Sequence, residues 1–297
     1  MKQTVGFVGL GNMGKGMASN VLKAGFPLVA YDLRPEPVAE IAALGGHRAE
    51  SLQDLGSRCD AIVVMVLNFP QMQEVILRPQ GVASTMKQGA TVIGCSTISP
   101  AQAEILGVAL SEHHLNYVDA PVSGGKFRAA DGTLTIMAGA DPEVFAAHQP
   151  VLAAMSTNLY HCGPVGTGQV AKMCNQLMAG VGVVATAECM ALGAAAGMDV
   201  RLLYEIVSHG TGDSWMFRNR ADRMMAGDFE TKGRLDIFQK DLGIVLETAD
   251  QHKLPLLLSA AARQWVMMGV AEGYAGEDDS AVVKVMEKFS GVKVKGE

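Results

Sequence analysis

The sequence has no paired cysteine motif. Its 297 residues include five cysteines, and an odd number of widely spaced thiols without a CxxC pair argues against a disulfide or zinc framework. We therefore expect reduced, mostly buried thiols, no metal site and a cytoplasmic location. The chain begins MKQTVGFVGLGNMG and enters a strand pattern at once, so we expect no signal peptide.

Runs of basic residues are also missing. The formal net charge is −6, and because phosphate binding needs a basic face, we expect no nucleic-acid partner. Charged residues make up 18% of the chain and hydrophobic residues 49%, which is enough apolar material for a core and argues against extensive disorder. The length fits one large domain or two ordinary ones.

Short apolar runs alternate with helical patterns in the first half of the chain, and this alternation predicts βαβ units and a parallel sheet. After the segment CGPVGTG the strand signals end, and the remaining sequence predicts helices. We therefore predict the α/β fold class: a Rossmann-type, doubly wound dinucleotide-binding domain over 1–164, an all-α domain over 165–297, and a long helix that joins them. The predicted strands are 5–10, 27–32, 61–67, 91–96, 116–122, 134–139 and 158–162. The helices predicted after the start of the joining helix are 183–196, 200–208, 215–226, 235–252 and 256–270.

The joining segment is unusually apolar. From Val165 to Gly197 the only charged residues are Lys172 and Glu188. Residues 177–197 are long and apolar enough to raise a membrane span as an alternative. Glu188 near the middle and the many Ala and Gly residues favour close helix packing in a soluble protein, so we expect no membrane partner.

A glycine-rich loop, GFVGLGNMG, ends an apolar strand and begins a helical pattern. In a dinucleotide-binding turn Gly9 would make the tight turn, Gly11 would let the backbone approach a pyrophosphate, and Gly14 would let the helix pack on the strand. Asp32 ends the next strand, where a carboxylate meets ribose hydroxyls, and the two features together predict dinucleotide binding. A carboxylate there repels a 2′-phosphate and favours NAD over NADP, although Arg34 could oppose it.

A second glycine-containing loop follows a predicted strand in the segment DAPVSGG. Ser123, Gly124 and Gly125 could present a hydroxyl and accessible N–H groups to an anion such as a carboxylate. An ordinary turn explains the same residues equally well. The residues alone leave both interpretations open.

One small polar patch interrupts the apolar joining helix. Lys172, Asn175 and Gln176 share a helix face by their spacing. The lysine could extend to solvent while the amides cap a neighbouring loop. Alternatively, it is a desolvated amine that exchanges a proton near neutral pH, as a dehydrogenase needs when a hydroxyl loses its proton. Composition does not decide between these alternatives.

Four blocks in order, GFVGLGNMG, DAPVSGG, GQVAKMCNQ and FQKDLG, carry a resemblance over essentially the whole chain. The sequence resembles the β-hydroxyacid dehydrogenases, the family of 3-hydroxyisobutyrate dehydrogenase. The resemblance implies that Lys172 is the catalytic acid/base, that Ser123, Gly124 and Gly125 hold the substrate carboxylate, and that a small hydroxy acid is the substrate. Asn175 and Gln176 would contact it too, and EDDSA (277–281) matches a C-terminal signature near the site. The implied NAD-binding residues are Gly9, Gly11, Asn12, Met13, Gly14, Asp32, Leu67, Asn68, Thr97, Phe238 and Lys240.

Departures from the family pattern narrow the range of substrates that the resemblance implies. The family usually has Asn four residues after the lysine, where this chain has Gln176, and commonly has Gly-Ala after Ser-Gly-Gly, where Arg128 precedes Ala129. With these departures and the segments SHGTGDSWMFRNR and DIFQKDLG, the sequence most resembles one branch of the family. Members of that branch oxidise L-threonate at its C2 hydroxyl to 2-oxo-tetronate.

Several alternatives stay open at this point. Relatives that act on 3-hydroxyisobutyrate or tartronate semialdehyde differ by a few pocket residues. An NADP-dependent aldehyde-acid reductase of the same fold, working in the reductive direction, is a further alternative, and Asp32 counts against it. A catalytically silent dinucleotide-binding module is a different class, and Lys172 counts against it. Decarboxylation of a phosphorylated sugar acid would need a basic phosphate pocket, for which no Arg/Lys cluster is evident. The 18 methionines and the Ala/Gly-rich helix favour extensive helix contacts, so we expect a homodimer or homotetramer.

Overall fold

The computed structural model describes residues 2–295, and the chain divides into two compact units. The division follows Lys172 and falls inside the long helix α8 (Thr167–Ala195). The sequence placed the boundary between 164 and 165, before this helix. The two differ because the first turn of α8 packs against the sheet of the first unit: a Cβ atom on Gly168 would lie 2.7 Å from the Asp119 carbonyl oxygen.

One sheet lies at the centre of the first unit. Its strands, within the described residues, are β1 (Val5–Val8), β2 (Leu28–Tyr31), β3 (His47–Arg48), β4 (Ala61–Val64), β5 (Thr91–Gly94), β6 (Asn116–Asp119), β7 (Val122–Ser123), β8 (Leu134–Gly139) and β9 (Ser156–Gly163). Their order is β3-β2-β1-β4-β5-β6-β8-β7, with β9 paired to β8. Neighbours from β3 to β6 run parallel, β8 runs antiparallel to β6 and β7, and β9 runs parallel to β8.

The central strands are apolar throughout because both faces of the sheet are covered. All residues of β1, β4 and β5 are buried. Since side chains alternate between the faces of a strand, Phe7 and Val63 enter one core while Ile62 and Val64 enter the other. The helices that join the strands are α1 (Gly14–Lys23), α2 (Pro35–Ala43), α3 (Leu52–Arg58), α4 (Phe69–Leu77), α5 (Pro100–Glu112), α6 (Gly125–Asp131) and α7 (Pro142–Ala153), with a 3-10 turn at Val82–Ser84.

The second unit is helical over its described residues. After α8 come α9 (Val200–His209), α10 (Trp215–Ala226), α11 (Leu235–Gln251), α12 (Leu257–Gly269) and α13 (Val282–Ser290), with a π turn at Val270–Tyr274 and a 3-10 turn at Asp279–Ala281. Apolar side chains at helical spacing form its core, among them Val183, Phe217, Leu242 and Val266.

The predicted fold class is confirmed: a largely parallel sheet covered by helices precedes an all-helical region, and a long helix joins them. The predicted strand 116–122 is two strands, because Pro121 has no N–H group to continue a ladder. The predicted helix 183–196 is the later part of α8. The short strand β3 and the helix α13 were not predicted from the sequence.

The expectation of mostly buried thiols is wrong. The five cysteines are free, but only Cys59 and Cys95 are buried, whereas Cys174 on α8 is exposed. Helix packing leaves that position of α8 at the surface.

Within the described residues, α8 is long and apolar enough to cross a membrane by length and composition. Of its most apolar window, 44% is buried inside the protein. A core helix of a soluble protein passes the same test.

Candidate active site

Most of the predicted cofactor residues of the first unit follow the carboxyl ends of parallel strands. The glycine loop follows β1, Asp32 follows β2, Leu67 comes shortly after β4 and Thr97 after β5. The carboxyl ends of parallel strands lie at one edge of a sheet, and this edge is where open α/β sheets bind ligands. The structure therefore brings these residues to one edge of the first unit.

The glycine loop has the geometry of a phosphate-binding turn. Gly9 has a φ of +89°, and a Cβ atom there would collide with the Met65 carbonyl oxygen. A Cβ atom on Gly14 would collide with the Gly9 carbonyl oxygen, so close packing of α1 on the loop excludes a side chain. A Cβ atom on Gly11 would meet nothing within 4 Å. The backbone at Gly11 is thus accessible, which fits a pyrophosphate approaching the N-terminus of α1.

Asp32 is held in place before any ligand binds. Its Oδ2 accepts a hydrogen bond from the Leu10 N–H at 2.7 Å, and its Oδ1 accepts from Arg34 Nε at 3.1 Å. Burial raises the pKa of this carboxyl, but hydrogen bonds from the side chain and backbone of Arg34 and from the Leu10 N–H outweigh burial and leave the pKa below its ordinary value. The side chain is therefore a carboxylate at neutral pH, as a ribose-binding acid has to be.

The two loops after β4 and β5 are tied to each other. Ser96 Oγ donates to the Val66 carbonyl at 2.7 Å and accepts from the Val66 N–H at 3.2 Å. Asn68 caps α4 by accepting a hydrogen bond from the Gln71 N–H, and Leu67 is exposed. The neighbouring Thr97 lies between two buried residues. These contacts fix the backbone around the predicted cofactor residues.

The DAPVSGG segment ends in a loop with left-handed backbone geometry. Gly124 has a φ of +136° and Gly125 a φ of +70°, which side-chain-bearing residues rarely adopt. A Cβ atom on Gly125 would meet nothing within 4 Å, whereas one on Gly124 would lie 2.7 Å from Arg128 Cδ. Ser123 is half-buried at the end of β7. The loop thus presents accessible backbone beside a hydroxyl, which is suited to an anion.

Lys172 is 6% exposed on α8, so the structure does not place its side chain in open solvent. The start of this helix depends on a residue that the sequence analysis missed. Asp119, fully buried at the end of β6, accepts hydrogen bonds from the Gly166 N–H at 3.2 Å and the Gln169 N–H at 3.0 Å. A carboxylate in this position satisfies N–H groups at a helix start that would otherwise lack partners.

Gln169, also missed, extends these contacts. Its Nε2 donates to Asp119 Oδ1 at 2.7 Å and to the Ser96 carbonyl at 3.0 Å, and its Oε1 accepts from the Ile98 N–H at 3.1 Å. Burial raises the pKa of the Asp119 carboxyl to about 7, while hydrogen bonds from Gln169 and from the backbone of Gly166 and Gly168 oppose that rise. The only local signal for either residue was a polar side chain in an apolar segment.

In the second unit the predicted residues form a short chain of polar contacts. Asn175 Nδ2 donates to Gln176 Oε1 at 3.0 Å, and Gln176 Nε2 donates to Asp241 Oδ2 at 2.6 Å. Lys240 Nζ lies 2.7 Å from the other carboxylate oxygen of Asp241. Asp241 stands in the KDLG block but was not predicted. Phe238 is buried in the core of this unit, so its predicted contact with the cofactor stays a prediction.

The EDDSA segment takes part in a buried ion network of the second unit. Asp279 pairs with Arg220, and Asp278 accepts from Arg223 Nε at 3.1 Å. Asp278 also accepts from the backbone N–H groups of Lys232 and Gly233. These contacts join α10, the loop before α11 and the C-terminal 3-10 turn.

The glycine loop with Asp32, the anion-suited loop at Ser123 and the buried Lys172 define a class of protein: a nicotinamide-dinucleotide oxidoreductase. Two family models match the chain. One is described as the NAD binding domain of 6-phosphogluconate dehydrogenase and matches residues 4–163. The other is described as "NAD-binding of NADP-dependent 3-hydroxyisobutyrate dehydrogenase" and matches residues 166–286. The chain belongs to the β-hydroxyacid dehydrogenase family and is an NAD-binding hydroxyacid dehydrogenase, as its sequence predicted.

Similar proteins carry several dehydrogenase names. An L-threonate dehydrogenase of Cupriavidus necator is 44% identical over 100% of this chain and 99% of its own length. A 2-(hydroxymethyl)glutarate dehydrogenase of Eubacterium barkeri is 38% identical over 98% of this chain and 96% of its own length. The mitochondrial 3-hydroxyisobutyrate dehydrogenase of Mus musculus is 35% identical over 97% of this chain and 88% of its own length.

Solved structures agree with the fold. A 3-hydroxyisobutyrate dehydrogenase from Salmonella typhimurium is 41% identical and covers 96% of this chain and 100% of its own, with a TM-score of 0.88. A Mycobacterium tuberculosis 3-hydroxyisobutyrate dehydrogenase with L-serine is 28% identical over 96% of this chain and 99% of its own, with a TM-score of 0.87. This full-length similarity to metabolic dehydrogenases is consistent with a soluble protein.

Proposed function

We propose that this protein oxidises L-threonate to 2-oxo-tetronate with NAD, and that Lys172 is the general acid/base. The observation that carries the proposal is the lysine itself: 6% exposed, on an apolar helix that begins where the dinucleotide-binding sheet ends. The 44% identity over the whole chain to an L-threonate dehydrogenase supports the choice of substrate.

Different residues would bind different parts of the NAD molecule. The loop from Gly9 to Gly14, including Asn12 and Met13, would hold the pyrophosphate and Asp32 the ribose. The accessible backbone at Gly11 and the prearranged carboxylate support these roles. The remaining cofactor contacts in this proposal come from Leu67, Asn68, Thr97, Phe238 and Lys240. When bound, NAD supplies the hydride acceptor.

The substrate would be held by its carboxylate. Ser123 Oγ and the N–H groups of Gly124 and Gly125 are the proposed donors, and the positive φ angles of both glycines support this role. Lys172 Nζ, neutral when the alcohol arrives, accepts the proton of the C2 hydroxyl. Asn175 and Gln176 orient the remaining hydroxyls.

NAD is preferred over NADP in this proposal. Asp32 would face the ribose with a negative charge and repel a 2′-phosphate. Arg34, which could attract that phosphate, is already paired with Asp32. Its guanidinium makes two hydrogen bonds to the Asp32 carboxylate.

A cytoplasmic homodimer or homotetramer completes the proposal. Exposed large apolar side chains on the second unit support self-association, and the free thiols support a reducing compartment.

The test is NADH formation by the purified protein with NAD or NADP on L-threonate, D-erythronate, 3-hydroxyisobutyrate and D-glycerate. Strong NAD-dependent turnover confined to L-threonate is the expected result. Turnover of another acid alone would keep the reaction class and refute the substrate. Silence on all four acids with NAD still bound would favour a silent module or a reductive enzyme.

The acid/base role is tested by Lys172→Ala and Lys172→Arg. A positioned acid/base group contributes on the order of 10²–10⁴-fold in rate, so we expect turnover to fall by that factor with NADH affinity retained. Arginine keeps the charge but does not release its proton, so it should not restore activity. Lys23→Ala, which changes an exposed lysine of α1, is the matched control. Near-normal turnover of Lys172→Ala would refute the assignment.

A further inference from the structure

We propose that Asp119 is a positioning residue of the oxidation: with the Gln169 amide, its carboxylate fixes the first turn of α8, and hence Lys172, relative to the loop that carries Thr97. The inference rests on the proposed role of Lys172 and adds two residues that do not touch the substrate.

The first step is the position of the helix start. Asp119 Oδ2 accepts the N–H groups of Gly166 and Gln169, and Lys172 follows Gln169 by one turn on the same helix face. A helix is stiff over so short a distance, so the lateral position of its first turn sets the position of the Lys172 backbone.

The second step is the connection to the nicotinamide side. The Gln169 amide hydrogen-bonds to the backbone of Ser96 and of Ile98, the residues on either side of Thr97. Ser96 in turn holds the Val66 backbone through its hydroxyl. One buried amide therefore links the helix of Lys172 to the two loops proposed to contact the cofactor.

The third step is the tight packing of the start of α8 against the sheet. A Cβ atom on Gly168 would lie 2.5 Å from the Met137 carbonyl oxygen and 2.9 Å from Asp119 Oδ2. The helix start is thus pressed against β6 and β8, and it has no room to compensate for a changed partner. Because a displacement of about 1 Å can reduce the rate on the order of 100-fold, small movements here matter for proton transfer.

The side chain at position 119 has to accept hydrogen bonds with two oxygen atoms. Both of its oxygens act as acceptors, Oδ2 for two backbone N–H groups and Oδ1 for the Gln169 amide. Asparagine has the same shape but only one acceptor oxygen, so one donor group would face another donor. The volume stays constant while the contact that positions the helix is lost.

A purely structural role for Asp119 would predict loss of stability alone. Thr91→Val is the matched control, because Thr91 Oγ1 makes a buried 2.7 Å hydrogen bond to His148 Nε2 at the other end of the neighbouring strand β5. This variant also loses a buried hydrogen bond of the same unit, but far from the strand ends that carry the cofactor loops.

The experiment compares Asp119→Asn, Thr91→Val and the wild type. It measures kcat and KM with L-threonate, NADH affinity by fluorescence, and the primary isotope effect on kcat with C2-deuterated L-threonate. We expect Asp119→Asn to lower kcat on the order of 10-fold to 100-fold, with a larger isotope effect and unchanged NADH affinity. Thr91→Val should retain kcat.

Two results would overturn the proposal: wild-type kcat in Asp119→Asn, or a loss of NADH affinity as large as the loss of kcat. If Asp119→Asn does not fold, Gln169→Met replaces it, since it leaves the backbone contacts of Asp119 and removes the link to Ser96 and Ile98. It should lower kcat in the same way, and a wild-type kcat would refute the link.

Lys172→Ala in parallel separates the two proposals. If it stays active, the proposed function fails. If it is inactive while Asp119→Asn and Gln169→Met match the control, only the positioning role fails. Amide hydrogen exchange over 166–172 provides a readout without substrate, and faster exchange is expected in Asp119→Asn but not in Thr91→Val.

Discussion

At the scale of single residues, two opposite charges meet where the adenosine ribose is proposed to bind. Asp32 holds Arg34 in an ion pair, so the acid both repels a 2′-phosphate and occupies the guanidinium that would attract it. Asp32→Asn keeps an acceptor for the Leu10 N–H and removes the charge. We expect the ratio of kcat/KM for NADP over NAD to rise on the order of 100-fold, since hydrogen bonds to charged groups contribute about 1.5–3 kcal/mol.

The contribution of Arg34 to that change is measured in a second background. Arg34→Ala in Asp32→Asn should abolish the gain with NADP, because the freed guanidinium is the group expected to bind the phosphate. Steady-state kinetics with both cofactors checks this. An Asp32→Asn protein that still rejects NADP would show that the carboxylate does not select the cofactor.

The sequence predicts residues whose role depends on their immediate neighbours. Gly9, Gly14 and Asp32 are recognisable because the turn and the strand end that need them are adjacent in the chain. Asp119 is not recognisable in this way, since its partner Gly166 is distant in sequence and contacts it only in the folded sheet. The same holds for Asp241, whose partner Gln176 lies on another helix.

At the scale of elements, the pattern of apolar residues was sufficient to predict a strand or helix where that pattern is clear along the whole segment. The central strands are apolar throughout and α10 was predicted with its observed bounds, Trp215–Ala226. Prediction failed at β3, which has two residues, and at α13, whose short amphipathic pattern follows the polar EDDSA turn. The division of the chain inside α8 depends on packing of the first turn on the sheet, which has no local signature.

The ion pairs of Arg223 on α10 give a prediction about stability. Arg223 pairs with two carboxylates: Asp278, which is fully buried, and Asp228, which is partly exposed. Removing one partner of a buried ion pair costs about 3–5 kcal/mol, and Asp278→Ala leaves the buried Arg223 with only the partly exposed Asp228. We expect Asp278→Ala to lower the free energy of unfolding of the second unit by that amount in denaturant titrations.

Asp228→Ala is the matched control, because it removes a carboxylate from the same arginine in contact with solvent. Water and salt screen such a pair, so little change is expected. Equal losses in both variants would mean that the burial of Asp278 is not what makes its ion pair matter.

At the scale of the whole molecule, the order of strands and helices predicts the fold class, and the family follows from motifs spread over the chain. The choice of hydroxy acid does not follow in the same way. In the proposed site it would depend on the positions of Ser123 and Lys172 to within fractions of an ångström. The sequence names these residues, whereas long-range contacts of Asp119 and Gln169 hold the start of the helix that carries Lys172.

The surface of the second unit gives the last prediction. Leu257 and Leu258 at the start of α12 are 80% and 75% exposed, and because they are adjacent, they form a contiguous apolar patch of the kind that marks an interaction surface, whereas a single exposed leucine does not. We expect light scattering to give the mass of two or four chains of 31.2 kDa. Leu257→Lys with Leu258→Lys should shift the protein toward the monomer. Leu33→Lys, at a leucine of the first unit that is 91% exposed, should not. A wild-type protein that stays monomeric at micromolar concentration would show that these side chains are simply solvated.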